Sequence, residues 1–261
     1  MIIKNKLYGG KVEITFDGFR HRYTIFDEEN CLDGEVAVGV TTALKVINKP
    51  KLIGWAVGCA IDCFKEQVMP GTSYDELQLQ AILNSARSAH YNKKVEAGDL
   101  GTMLHKWIES YATGENPDVP VNPTLKKSVE NFLAWREKYK IEFVMNEAFV
   151  YSRKFHYAGT LDFVCRINGH LFIGDIKTSS GVYAEQMIQT AAYRMAREEE
   201  YPAEKYKGQL IIRIGKDGSF DFVVLEDGPW YPKMKKAFVC AMTLSTLLDD
   251  IQNNYKPKYL K

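Results

Sequence analysis

Asn168-Gly169, set between the apolar-rich runs 161–167 and 170–177, restricts the fold of this chain more tightly than any other short stretch. Asn-Gly suits the tight turn that joins two antiparallel strands through a two-residue loop. Ile167 then pairs with His170, and every further pair has residue numbers with the same sum. Asp162 is therefore predicted to lie opposite Asp175, with Cβ atoms about 4.5–5.5 Å apart. Like charges at that spacing destabilise a sheet unless something neutralises them, and a cation is the obvious agent. Alternation puts Lys177 on the face of Asp175, about 6–7 Å further along and opposite Thr160.

A solvated ion-pair face is the plain alternative for any Asp-x-Lys. The strands argue against it. Leu161, Phe163, Cys165 and Ile167 form one face, while Leu171 and Ile173 share the face of Asp175. Apolar residues on both faces mark a buried central hairpin. Paired carboxylates in such a place either take up a proton or bind metal, and both outcomes cluster at functional sites.

With 261 residues, 46% hydrophobic and 26% charged, the chain matches a globular protein of one or two lobes and excludes a fibre or a disordered segment. Its five cysteines, Cys31, Cys59, Cys63, Cys165 and Cys240, are odd in number and favour reduced thiols in a reducing, cytoplasmic compartment. Cys59 and Cys63 could meet on a helix face, but no second pair completes a zinc or iron–sulfur site. Neither a secretory signal nor an apolar membrane span is present, so a soluble protein with no membrane partner is expected. The formal net charge of +1 does not advertise a nucleic-acid binder, because phosphate contact depends on local concentration of Lys and Arg. Basic clusters at 45–51, 93–94, 126–127, 233–236 and 256–258, and the acidic 198–200, each read as solvated faces.

Residues 7–27 suggest a hairpin, with Asp17-Gly18 turning between 11–16 and 19–26. Thr41 or Thr42 caps a short helix through Ile47, Pro50 opens a second helix, and Ser73 opens a long one towards Ala97. Residues 98–101 are expected to interrupt it, and a further helix at 102–111 carries His105 and Glu109 at i,i+4 spacing. Residues 116–123, rich in proline, are the candidate linker before a helix at 124–139. The remainder reads as strands at 142–152, 158–167 and 170–177, a helix at 184–199, strands at 209–214 and 220–225 joined by a Lys216-Asp217-Gly218 turn, and a helix at 233–254. That order indicates a mixed α/β sheet with packed helices. The expected division is 1–139, a hairpin and helical lobe contributing His105, and 140–261, the core.

Gly101-Thr102-Met103-Leu104-His105, Glu147, Gly159-Thr160-Leu161-Asp162, Asp175-Ile176-Lys177-Thr178 and Gln189-x-x-x-Tyr193 follow one another in an order and on elements that resemble the PD-(D/E)XK nuclease superfamily. The similarity is nearest to its RecB-like branch, which includes phage exonucleases and the mitochondrial genome maintenance exonuclease. The stretch from Val40-Thr41-Thr42 to Gly54-Trp55 also looks like the helical lead-in of phage members, so the resemblance spans about residues 36–195.

The resemblance implies a restriction-endonuclease-like α/β core with an N-terminal helical elaboration. It also implies that Asp162 and Asp175 are the principal metal ligands, with His105 and the backbone carbonyl of Ile176 completing the protein's share. Such a site suits one or two Mg²⁺ or Mn²⁺ ions. Lys177 would orient the attacking water or stabilise charge on the phosphorane. Glu147 would reach a second metal or align Lys177, and Gln189 with Tyr193 would position substrate or water. Glu109 reads as a helix-face residue or an outer partner of the site. Trp55, Trp107, Tyr111 and the lysines of 45–51 could contact a single strand, although the two tryptophans suit the core better. The implied activity is metal-dependent DNA hydrolysis, an exonuclease on ends or single strands in recombination, repair or genome processing. A structure-specific or nicking endonuclease and an inactive DNA-binding module are the alternatives.

Overall fold

Asn168 and Gly169 take φ of 51° and 79°, and Ile167 pairs with His170, so the predicted turn and register both form. The computed structural model describes residues 2–215 and 217–255. Lys216 of the expected second turn, and the basic cluster at 256–258, lie outside the described residues.

The described strands form a nine-stranded mixed sheet. A meander of β1 (Ile2–Leu7), β2 (Val12–Asp17), β3 (Arg22–Asp27) and β4 (Leu32–Gly39) leads into β5 (Glu142–Ser152), β6 (Tyr157–Ile167), β7 (His170–Lys177), β8 (Tyr206–Ile214) and β9 (Phe220–Glu226). The spatial order is β1-β2-β3-β4-β6-β7-β8-β9, with β5 also on β6. β5 pairs with β6 from Tyr157 to Arg166, so β4 and β7 must share the other edge of β6. β4 takes Tyr157 and Ala158 in parallel, and β7 begins its ladder at Phe163. Residues 159–162 lie in the fork between them.

The first unit contains the whole sheet, and the second is Asn48–Leu104. This division differs from the one expected at residue 139, because the N-terminal strands belong to the sheet. Leu7, Val12, Ile14, Ile25 and Ala37 share one core cluster with Phe149, Tyr151 and Ala158. Of the meander, only the β2–β3 hairpin was expected. Residues 116–123 lie inside the first unit, where the Trp107 indole Nε1 donates to the Asp118 carbonyl at 2.9 Å.

Helices cover the sheet of this unit. α1 (Val40–Ala43) runs into a 3₁₀ turn, and the second unit consists of α2 (Pro50–Gln67), with Pro50 in its first turn, and most of α3 (Glu76–Ala112). α3 does not break at 98–101. Glycine costs a helix interior only about 1 kcal/mol, and buried Leu104, Trp107 and Ile108 beyond the glycines supply the packing that outweighs it. α4 (Pro123–Tyr139) starts on Asn122, whose side chain accepts from the Thr124 and Leu125 amides. α5 (Ala184–Glu200) crosses between the parallel strands β7 and β8. It seats Ala192, Tyr193 and Ala196 in one cluster with Val164 and Ile173 of the sheet and Phe238 of α6 (Trp230–Asn254). The acidic run on α5 is not a free face: Glu198 accepts from Arg194 and Tyr231, and Glu199 from Tyr8 and Ser152.

Candidate metal centre

The β6–β7 ladder stops at Phe163–Gly174, one pair short of the two aspartates. The carboxylates are drawn to different partners instead of stacking across the strands. Asp162 Oδ2 accepts from the Ile176 amide at 2.7 Å and lies 3.0 Å from His105 Nε2. Asp175, fully buried, meets Lys177 Nζ at 2.6 Å and accepts from Gln189 Nε2 at 3.3 Å. Thr160, expected opposite Lys177, has its hydroxyl 3.0 Å from the Tyr23 hydroxyl. Gln189 Nε2 also donates to the Tyr193 hydroxyl at 2.9 Å, so the i,i+4 pair on α5 holds Asp175 from one side.

His105, Glu147 and Asp162 form the converging group: one ligand atom from each lies within 4.8 Å of the others. Asp175, read from the sequence as a principal ligand with Asp162, is outside that trio and engages Lys177. The Ile176 group facing Asp162 is its amide. His105 is set by the last turns of α3, where Trp107 stacks on Tyr111 at 5.3 Å and edges onto Phe132 of α4. Glu147 stands level with Asp162 in the β5–β6 register, between the pairs Asn146–Phe163 and Ala148–Leu161. Its φ is +46°, a left-handed backbone inside a strand. Non-glycine residues hold such a conformation at a cost of about 1–3 kcal/mol, typically where function requires it. Gly159 serves a different need, since a Cβ there would come within 2.6 Å of the buried Tyr193 ring.

Burial first, then the charge of Asp162, pushes the Glu147 carboxyl up to about 7; Glu109 adds to the same push. Burial pushes Asp175 up to about 7 as well, against the attraction of Lys177. The bond to Asp162 raises the His105 imidazole despite its burial. For Lys177, burial works against the charge, but Asp175 and Asp162 together hold the ammonium above its ordinary value. The centre thus gathers three carboxylates beside one ammonium and one imidazole.

One imidazole and two carboxylates suit Mg²⁺ or Mn²⁺ in both chemistry and spacing. Ligands about 2.1 Å from a six-coordinate ion lie about 3.0 Å apart when adjacent and about 4.2 Å when opposite, and the trio, with one atom from each residue within 4.8 Å of the others, would tighten slightly to reach that spacing. Glu147→Gly is expected to raise the melting temperature, because it relieves both the left-handed backbone and the repulsion from Asp162. The same variant should bind Mn²⁺ at least about tenfold more weakly. Calorimetric titration and thermal melting together check this, and a loss of stability would contradict the strain.

Nothing local in the sequence marks Tyr23, whose place beside Thr160 depends on the meander's docking. Trp107 is 8% exposed with its indole bonded, whereas Trp55 is 43% exposed. All five cysteines are free thiols, with Cys59 and Cys165 buried. No helix among the described residues is long and apolar enough to cross a membrane.

No protein-family model matches the chain, and no curated protein matches it. Among solved structures, a candidate exonuclease from Eubacterium rectale aligns with 62% of this chain and 77% of its own, at 13% identity and a TM-score of 0.39. The protein SSO0001 aligns with 80% of this chain and 89% of its own, at 11% identity and a TM-score of 0.34. Both likenesses are distant.

Proposed function

We propose that the chain is a metal-dependent deoxyribonuclease of the PD-(D/E)XK type, RecB-like, acting as an exonuclease on DNA ends or single strands. The observation that carries this reading is the convergence of His105, Glu147 and Asp162 beside the buried Asp175–Lys177 pair. A structural salt bridge alone would not gather three carboxylates and one imidazole around a fork in a sheet.

His105, Glu147 and Asp162 would hold one Mg²⁺ or Mn²⁺. On the same reading Asp175 and the Ile176 carbonyl would share that ion or a second one. When bound, the ion supplies Lewis acidity towards a phosphoryl oxygen and lowers the pKa of water. Lys177 stays protonated in the field of Asp175 and Asp162. Its part is therefore to donate to, and neutralise, charge growing on the phosphoryl oxygens, and not to remove a proton. Gln189 fixes the Asp175 carboxylate from α5, and burial keeps Tyr193 protonated by raising its phenol well above the ordinary range. Asp175 in turn fixes Lys177.

The test is incubation with 5′- and 3′-labelled single- and double-stranded DNA in Mg²⁺, Mn²⁺ or EDTA, beside closed circular DNA. Shortening of linear substrates with metal, none with EDTA and none on circles is the expected pattern. Cutting of circles would replace the exonuclease by an endonuclease, and cutting that ignores EDTA would overturn the metal mechanism.

A further inference from the structure

The geometry points to Tyr23, from the N-terminal meander, as a positioning residue that aims the Thr160 hydroxyl at a phosphate oxygen of the nucleic acid. This rests on the cation-and-phosphate reading of the site. Tyr23 is held in place on both sides: its ring stacks on Phe16 at 4.7 Å and meets Phe149 edge-on at 6.2 Å. Its hydroxyl lies 3.0 Å from Thr160 Oγ1. Thr160 pairs with Phe149, stands in the fork of the sheet, and shares its strand face with Asp162, about 6–7 Å along the strand.

Two hydroxyls in contact bring two protons and spend one on each other. The phenol is the stronger acid and the better donor, and burial keeps it protonated against the opposing pull of its contact with Thr160. Tyr23 therefore donates to Thr160, which turns the Thr160 proton away from the meander. That proton has no other acceptor among the described hydrogen bonds. A hydroxyl donor at this place, beside a cluster that gathers a cation, is complementary to an anionic oxygen brought in with that cation. The N-terminal meander is thereby part of the site and not only an extension of the sheet.

The test uses the full chain and thymidine 5′-monophosphate as probe, titrated calorimetrically with and without Mn²⁺. Thr160→Val should weaken nucleotide binding about tenfold, the scale of a lost hydrogen bond to a charged group, and Thr160→Ser should retain it. Tyr23→Phe should weaken it about three- to tenfold, and the double variant Tyr23→Phe/Thr160→Val should bind no more weakly than Thr160→Val alone. Affinity for Mn²⁺ alone should stay unchanged throughout. Wild-type affinity in Tyr23→Phe, losses that add in the double variant, parallel loss of Mn²⁺ affinity, or a wild-type chain that takes up no nucleotide would each overturn the inference. Should Tyr23→Phe fail to fold, the Thr160→Val and Thr160→Ser contrast decides alone, and equal binding by those two overturns it. Binding in the expected pattern without any DNA cleavage would remove the nuclease reading and leave this one standing.

Discussion

Asp162→Ala is expected to lower Mn²⁺-dependent DNA cleavage by about 10³-fold or more, since on the proposed reading it removes a ligand of the ion that the chemistry would need. One oxygen of Asp162 serves both His105 Nε2 and the Ile176 amide, so the substitution also frees the imidazole from its orientation. The fold should survive. Removing one of the mutually repelling carboxylates lowers the electrostatic cost carried by Glu147, which offsets part of the about 1.5–3 kcal/mol lost with the bond from the Ile176 amide. Melting within a few degrees of wild type, with DNA binding retained, is therefore expected, because backbone contacts and chemistry depend on different groups. Lys177→Met should cost about 10²–10³-fold, with Asp175 neutralised by a proton once its partner is gone. Undiminished cleavage by Asp162→Ala at saturating metal would remove the assignment of the centre.

The central hairpin was legible because its determinants are local. Asn168-Gly169 sets the turn and the turn sets the register, so no tertiary information is needed. The same logic reached β5, β7 and the start of α2 at Pro50. It failed where packing overrides propensity: two glycines at 98 and 101 looked like a break, yet α3 continues through them. It also failed for β1, whose side chains are exposed except for Leu7, and for β4, where two glycines and a single buried residue, Ala37, leave a weak strand pattern. Such strands are held chiefly by their neighbours in the sheet.

The site was legible as a set of residue types but not as an arrangement. Register alone placed Asp162 against Asp175, and nothing in it foretold that the ladder would end one pair early. Where the ladder ends, Asp162 turns to the Ile176 amide and His105, and Asp175 meets Lys177. Glu147 was placed on the right strand, but its role in the trio depends on a backbone kink with positive φ, which a glutamate does not advertise.

Without metal, the melting temperature should fall as pH rises from about 5 to 8, and Mn²⁺ should restore it most at the upper end. Asp175 is raised from 3.8 to about 7, so between those values the folded protein binds a proton that the unfolded chain releases. Stability is then fully present at acid pH and is lost as pH climbs through the folded value. Glu147 acts in the same direction from 4.5 to about 7, weakened by its partial exposure. His105, also raised above its ordinary value, acts in the same direction as pH rises. Lys177, raised from 10.5, contributes only at higher pH. For Asp175 the ceiling of the effect is on the order of 4 kcal/mol. A metal held at the proposed centre would reverse the balance, because it would bind the ionised carboxylates and the neutral imidazole and displace their protons. At about a hundredfold excess over its Kd it adds about 2.7 kcal/mol, or very roughly 5–10 °C for a chain of this size. Differential scanning calorimetry at several pH values, with Mn²⁺ or EDTA and with Asp175→Asn as the variant whose pH dependence should flatten, checks each part. A metal-induced shift equal at pH 5 and pH 8 would mean that the ion binds somewhere other than these groups.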